Sequence, residues 1–145
     1  TMKALSVTFI VVEILQKREP FDRAAMEILL AISNCKCAGA LTAKSITDIH
    51  YLLKRSIHNE EEVRKLIRIL FQLFEITDTF STDCELALSS PIKDYEDAVM
   101  TQTAIRIGAD CIVTRNLKDY KAALLPVFSP EQFLSALDKE EGQEK

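Results

Sequence analysis

The stretch that decides how this chain is read is Asp94-Tyr95-Glu96-Asp97-Ala98, followed a helix length later by Gly108-Ala109-Asp110-Cys111-Ile112-Val113-Thr114-Arg115-Asn116-Leu117-Lys118-Asp119-Tyr120. Asp94 to Ile107 reads as a helix closed by Gly108, because glycine reaches the left-handed backbone region that a helix C-terminus favours. Cys111 to Thr114 then reads as a short apolar strand. Strands of this kind alternating with helices imply a parallel sheet covered on both faces.

Working outward, the same alternation recurs. Ala4 to Thr8 reads as a buried strand leading into a short helix through Gln16. Pro20 opens a helix over Phe21 to Ser33, with Ala24, Ala25, Ile28, Leu29 and Ile32 at helical spacing. Cys37 to Leu41, beside Gly39, is a strand. Ala43 to Ser56 is a helix with Ile46, Ile49, Leu52 and Leu53 on one face. Asn59 caps a charged helix carrying the stripe Val63, Leu66, Ile67 and Leu70. Phe74 to Thr77 is a strand and Asp83 to Ser89 a short helix. Val127 to Ser129 is a last strand, and Pro130 starts a terminal helix to about Asp138. The expected domain is 2–138, with 139–145 a flexible charged tail.

Composition bounds the function. The chain has 145 residues, 48% hydrophobic and 28% charged, with no Trp, so one domain with an aliphatic core is expected. A formal net charge of -4 gives no general attraction to nucleic acid, and any such contact needs a local basic patch. Cys35 and Cys37 form a C-x-C pair without the second pair or His of a zinc pattern. All four cysteines, with Cys84 and Cys111, are expected as buried or partly buried free thiols, which suits a reducing cytoplasm. No apolar run is long enough to span a membrane, so a cytoplasmic protein without a membrane partner is expected.

In a covered parallel sheet, sites lie beyond the carboxyl ends of the strands, here after Thr8, Leu41, Thr77 and Thr114. Asp94 and Asp97 are three apart at a helix start and share a face. Thr114, Asn116 and Asp119 lie just past a strand end. If these elements are neighbours, their oxygens make a cluster suited to a hard divalent cation. Simpler roles are open to the same residues: Asp94 as an N-cap, Asp97 in favourable register with the helix dipole, Asn116 and Asp119 as turn formers. Arg115 and Lys118, with Lys44 on the helix after the second strand, form a loose rim for phosphates, or an ordinary solvated surface. Lys17, Arg18, Lys54, Arg55 and Lys121 extend that basic set. His50 and His58 read as surface or helix-packing residues.

Taken together, Asp-Tyr-Glu-Asp-Ala and Thr-Arg-Asn-Leu-Lys-Asp-Tyr resemble the C-terminal half of a PIN domain. Pro126 to Leu134 is similar to that family's closing strand and helix, and Gly39 to Ile49 to the segment carrying its second acid. The resemblance runs from about Met2 to Leu137. It implies a three-layer α/β/α sandwich around a central parallel sheet. It also implies an endoribonuclease dependent on Mg²⁺ or Mn²⁺, acting on single-stranded or structured RNA, as in the toxins of toxin–antitoxin pairs. An antitoxin protein and a homodimer are the partners it suggests. Carried over by position, Asp97 matches the family's acid at the helix start, Asp94 an auxiliary acid, and Asp48 the second acid. These three are the expected metal ligands. Asn116 and Asp119 match the polar positions after the fourth strand, and Thr114 would orient a ligand or phosphate.

The sequence departs from the family at the front. Where the family's first strand ends in Asp-Thr-Asn, this chain has Val7-Thr8-Phe9, then Ile10-Val11-Val12-Glu13. Valine offers no ligand atom, so weakened metal binding and impaired hydrolysis are expected unless Glu13 reaches back to the cluster. The alternative is a catalytically inactive nucleic-acid-binding or protein-interaction module. A nucleotide-binding doubly wound domain is disfavoured, because bulky residues follow the first strand where a Gly-rich phosphate loop would be needed.

Overall fold

The computed structural model describes residues 1–6, 8–16 and 22–144, without the side chains of Thr8, Phe9, Gln143 and Glu144. The expectations placed on Val7, on the Phe9 side chain, and on Lys17, Arg18, Pro20 and Phe21 lie outside the described residues.

Five parallel strands form one sheet: β1 (Lys3–Ser6), β2 (Ala38–Thr42), β3 (Glu75–Thr77), β4 (Cys111–Val113) and β5 (Val127–Phe128), in the order β3-β2-β1-β4-β5. The helices are α1 (Thr8–Leu15), α2 (Asp22–Ser33), α3 (Ala43–Ile57), α4 (Glu60–Leu73), α5 (Ser81–Ala87), α6 (Tyr95–Arg106) and α7 (Pro130–Glu144). This is the expected α/β/α sandwich.

The period of two along the strands sorts side chains into two cores. Ala4, Leu41, Cys111 and Val113 point to one face, where they join Val11, Ile28, Ile49, Leu53, Val63 and Phe133 from the covering helices. Leu5, Ala40 and Ile112 point to the other, against Met100 and Ala104 of α6 and Tyr120. Gly39 lets α2 approach closely, since a Cβ there would lie 2.6 Å from Ile32 Cδ1 and 2.8 Å from the Phe74 ring.

Three local features differ from the sequence reading. β1 is described over Lys3–Ser6, with Ser6 in register with Val113, and Thr8 belongs to α1, not to the strand. Cys35 is exposed, not buried: it takes the left-handed conformation (φ 59°) at the end of α2, where Cys35 N–H donates to Ile32 and Lys36 N–H to Ala31. The other three thiols are free, with Cys37 and Cys111 buried and Cys84 half-buried. α7 continues past Asp138 to Glu144. The helix-forming run after Leu137, itself packed in the core, carries it on, and Glu141 lies 4.0 Å from Lys36. Gly108 behaves as its sequence position suggests, with φ 70° directly after Ile107, the C-cap of α6. No helix among the described residues is long and apolar enough to cross a membrane.

Candidate active-site cleft

The strand order reverses at β1, with β2 on one side and β4 on the other. Ligand crevices form at such switch points, beyond the strands' carboxyl ends. Three chain segments meet there. At the end of β2, Thr42 caps α3: its hydroxyl accepts from Ser45 N–H at 3.1 Å and so turns the chain directly into the helix. Lys44 and Asp48 then lie one turn apart on α3. At the start of α6, Asp94 Oδ1 accepts from Asp97 N–H at 3.0 Å, which places Glu96 and Asp97 in the first turn. After β4, Thr114 is buried and its hydroxyl accepts from Asn116 N–H at 3.1 Å. A 3-10 turn over Leu117–Tyr120 follows and brings Tyr120 back under α6.

The result is a cleft of about 420 Å³ whose polar wall comprises Lys44, Asp48, Glu96, Asp97, Thr114 and Asn116. Its charges are already engaged with one another. Lys44 Nζ lies 3.0 Å from Asp48 Oδ2 and 2.7 Å from Glu96 Oε1, bridging α3 and α6. Burial disfavours the ammonium, but the bonds and charges of Glu96 and Asp48 outweigh it and hold Lys44 above its ordinary range, firmly protonated. Asp97 Oδ1 accepts from Tyr120 Oη at 2.9 Å. Burial raises the Asp97 carboxyl above its ordinary value, and the charges of Asp94, Asp119 and Glu96 add to the rise against the Tyr120 bond. Tyr120 is itself pushed well above a normal phenol, first by burial and then by Asp97, so it serves as a neutral donor.

The structure therefore brings Lys44, Asp48, Asp97, Thr114 and Asn116 together. Asp94 caps α6 and does not line the cleft, and Asp119 is hydrogen-bonded to Asn116 Nδ2. Lys118 lies exposed on the 3-10 turn and does not line it either. Arg115 is held elsewhere. Its guanidinium contacts both oxygens of Glu13 at 3.0 and 3.2 Å, and Glu131 at 2.9 and 3.0 Å. Glu13 is thus committed to Arg115 and not to the acids of the cleft. His50 Nε2 donates to the Glu60 carboxylate at 2.8 Å, away from the cleft.

Sequence reasoning had no role for Glu96 and Tyr120, although both sit in the quoted motifs. The Lys44–Asp48 pairing is legible as an i,i+4 spacing. The bridge to Glu96, 52 positions away, is not. As arranged, the donor set does not fit a resident metal ion: among the described residues no three His, Cys, Asp or Glu side chains group to hold one. Two of the cleft's three acids share the Lys44 ammonium instead.

A PIN domain family model matches residues 8–118. Solved structures share the fold. A toxin–antitoxin complex from Klebsiella pneumoniae aligns at TM-score 0.65 and 22% identity, covering 88% of this chain and 97% of that one. VapBC2 from Rickettsia felis, bound to a DNA fragment from its promoter, aligns at 0.64 and 19%, covering 88% and 98%. VapC20 from Mycobacterium tuberculosis, a toxin that cleaves the sarcin–ricin loop, aligns at 0.58 and 9%, covering 75% and 86%. No curated protein sequence matches the chain.

Proposed function

We propose that this chain, which belongs to the PIN domain family, is a nucleic-acid-processing protein descended from Mg²⁺- or Mn²⁺-dependent endoribonuclease toxins, with its own catalysis impaired. The observation that carries the reading is the cleft itself. Asp48 and Asp97 converge at the sheet's switch point, yet Asp48 is bridged by the Lys44 ammonium to Glu96, and Asp97 is bonded to Tyr120. PIN nucleases generally depend on a divalent metal. Such an ion polarises a phosphodiester and activates water, which needs carboxylates free to bind it. Here Val7 supplies no oxygen where the family has its first Asp. The acids that this descent assigns to a cation are Asp48, Asp94 and Asp97, but Asp94 is committed as the α6 cap and Asp48 to Lys44, so only weak cation binding is proposed; Asn116, Asp119 and Thr114 are the proposed polar support and Lys44, Arg115 and Lys118 the phosphate contacts. Lys44 and Arg115 would first have to leave their present carboxylates.

The proposed substrate is RNA. An antitoxin is the proposed protein partner, since the structural relatives include toxin–antitoxin complexes. A homodimer is proposed on the family resemblance alone. The second reading, an inactive binding module, is favoured by the engaged state of the carboxylates.

Mn²⁺ calorimetry combined with cleavage of a labelled single-stranded RNA tests the proposal on wild type and Val7→Asp. Wild type is expected to bind weakly and leave the RNA intact, and Val7→Asp to gain both properties. If wild type cuts and Asp97→Asn abolishes cutting, the impairment is refuted. If Val7→Asp gains neither, the inactive module is the better account.

A further inference from the structure

Lys44, Asp48, Tyr51 and Arg55 recur at intervals of four, three and four, so they form one stripe along α3. The stripe begins inside the cleft and runs out of it. Lys44, Asp48 and Tyr51 all line the cleft, with Leu52 beside them. Tyr51 is 63% exposed, a large apolar ring left in water at the mouth of a polar cleft. Arg55 follows one turn on, its guanidinium 5.8 Å from the Tyr51 ring centroid. Among the described residues Arg55 has no carboxylate partner, in contrast to Arg64, Arg106 and Arg115.

We propose that Tyr51 is a stacking platform for one unpaired base of an RNA strand entering the cleft, with Arg55 contacting the phosphate beyond it. This rests on the reading of the cleft as an RNA site and adds the side chains that grip the strand at its mouth. An exposed aromatic beside a free guanidinium is the combination that proteins use for single strands, because every base offers a π-face and every linkage a charge. In a duplex the base faces are covered by their neighbours, so the ring has nothing to stack on. With a rise of about 1.5 Å per residue, Tyr51 stands roughly 4.5 Å along the helix axis from Asp48, and Arg55 roughly 6 Å further. A base on Tyr51 therefore lies next to the acids rather than at a remote surface. It also supplies an attraction that the acidic cleft lacks.

The test is fluorescence anisotropy with a labelled single-stranded RNA 12-mer and the same strand annealed to its complement, in Mg²⁺ and in EDTA. Wild type, Tyr51→Ala, Tyr51→Phe and Arg55→Ala are compared, with thermal melts to show that each is folded. Tyr51→Ala is expected to weaken single-strand binding by about 5- to 150-fold, the range that loss of one stacked base gives. Tyr51→Phe keeps the ring and is expected to bind like wild type, and duplex binding is expected to be indifferent to both changes. Arg55→Ala is expected to lower the slope of log affinity against log salt by about 0.7, as loss of one single-strand phosphate contact does. Single-strand affinity unchanged in Tyr51→Ala, while wild type binds RNA, overturns the platform and leaves the RNA site standing. No RNA binding by wild type in either buffer overturns both.

Discussion

Replacing Lys44 by Met keeps most of the aliphatic stem and removes the ammonium that bridges Asp48 and Glu96. All three side chains are largely exposed, so the two ion pairs contribute little stability. Exposed pairs of this kind are worth about 0.2–1 kcal/mol each, and loss of both lowers Tm by about 1–8 °C in a domain of this size. The effect on cation affinity is expected to be larger. Two unit charges about 4 Å apart interact by about 1 kcal/mol in water, so a dication held at Asp48 beside the ammonium is opposed by about 2 kcal/mol. That is roughly a thirtyfold change in affinity. Calorimetric titration of Mn²⁺ into wild type and Lys44→Met, at matched ionic strength, reads it directly. A gain of about thirtyfold in the variant supports Lys44 as the occupant of the cation position. Equal affinities, with the variant folded, would refute that reasoning.

Other expectations follow from the packing around the cleft. Asp83 is 1% exposed and accepts from Arg106 Nε at 3.0 and 3.1 Å, from Thr103 Oγ1 and from Phe80 N–H. Burial opposes its charge, but Arg106, the Phe80 N–H and Thr103 together hold the carboxyl below its ordinary value. Its stabilising contribution is then present above the unfolded carboxyl range and is lost as pH falls through the lower folded value. Urea titrations should show Asp83→Asn less stable by about 2–3 kcal/mol at pH 7, with part of the wild-type acid limb flattened below about pH 4. At Gly39, an added methyl meets Ile32 and the Phe74 ring well inside contact distance. Gly39→Ala is therefore expected to cost about 1–3 kcal/mol, read as a lower urea midpoint at constant slope.

The fold was legible because its information is local. Each strand is short and apolar, each helix carries its own stripe, and Thr42, Asn59, Asp94 and Gly108 stop or start elements by backbone chemistry that a sequence displays. The site was half legible for the same reason. Asp48, Asp97, Thr114 and Asn116 flank strand ends, so topology alone gathers them. The partnerships among them were not legible. Lys44 choosing Glu96, Tyr120 choosing Asp97, and Arg115 turning to Glu13 and Glu131 depend on which helix faces which loop. Arg115 illustrates the limit: its place in the motif suggested a phosphate contact, while a buried carboxylate on α1, only 8% exposed, holds it. Cys35 marks another, since a left-handed cap filled by cysteine carries none of the signal that Gly108 does.

The placement of β1 bears on how the molecule is assembled during synthesis. Its two neighbours come from very different distances along the chain: Ala4 pairs with Gly39 on one side and with Cys111 on the other. At about 5–20 residues per second, a ribosome delivers the second partner several seconds after the first. Through that interval the central strand has one ladder of amide and carbonyl groups unpaired, an open edge on which other chains can add. The strand that fills this edge, β4, is also the one that carries Thr114 and Asn116 into place. Pairing of the second edge of β1 and arrival of these cleft residues are thus one event, and a nascent chain short of β4 has neither.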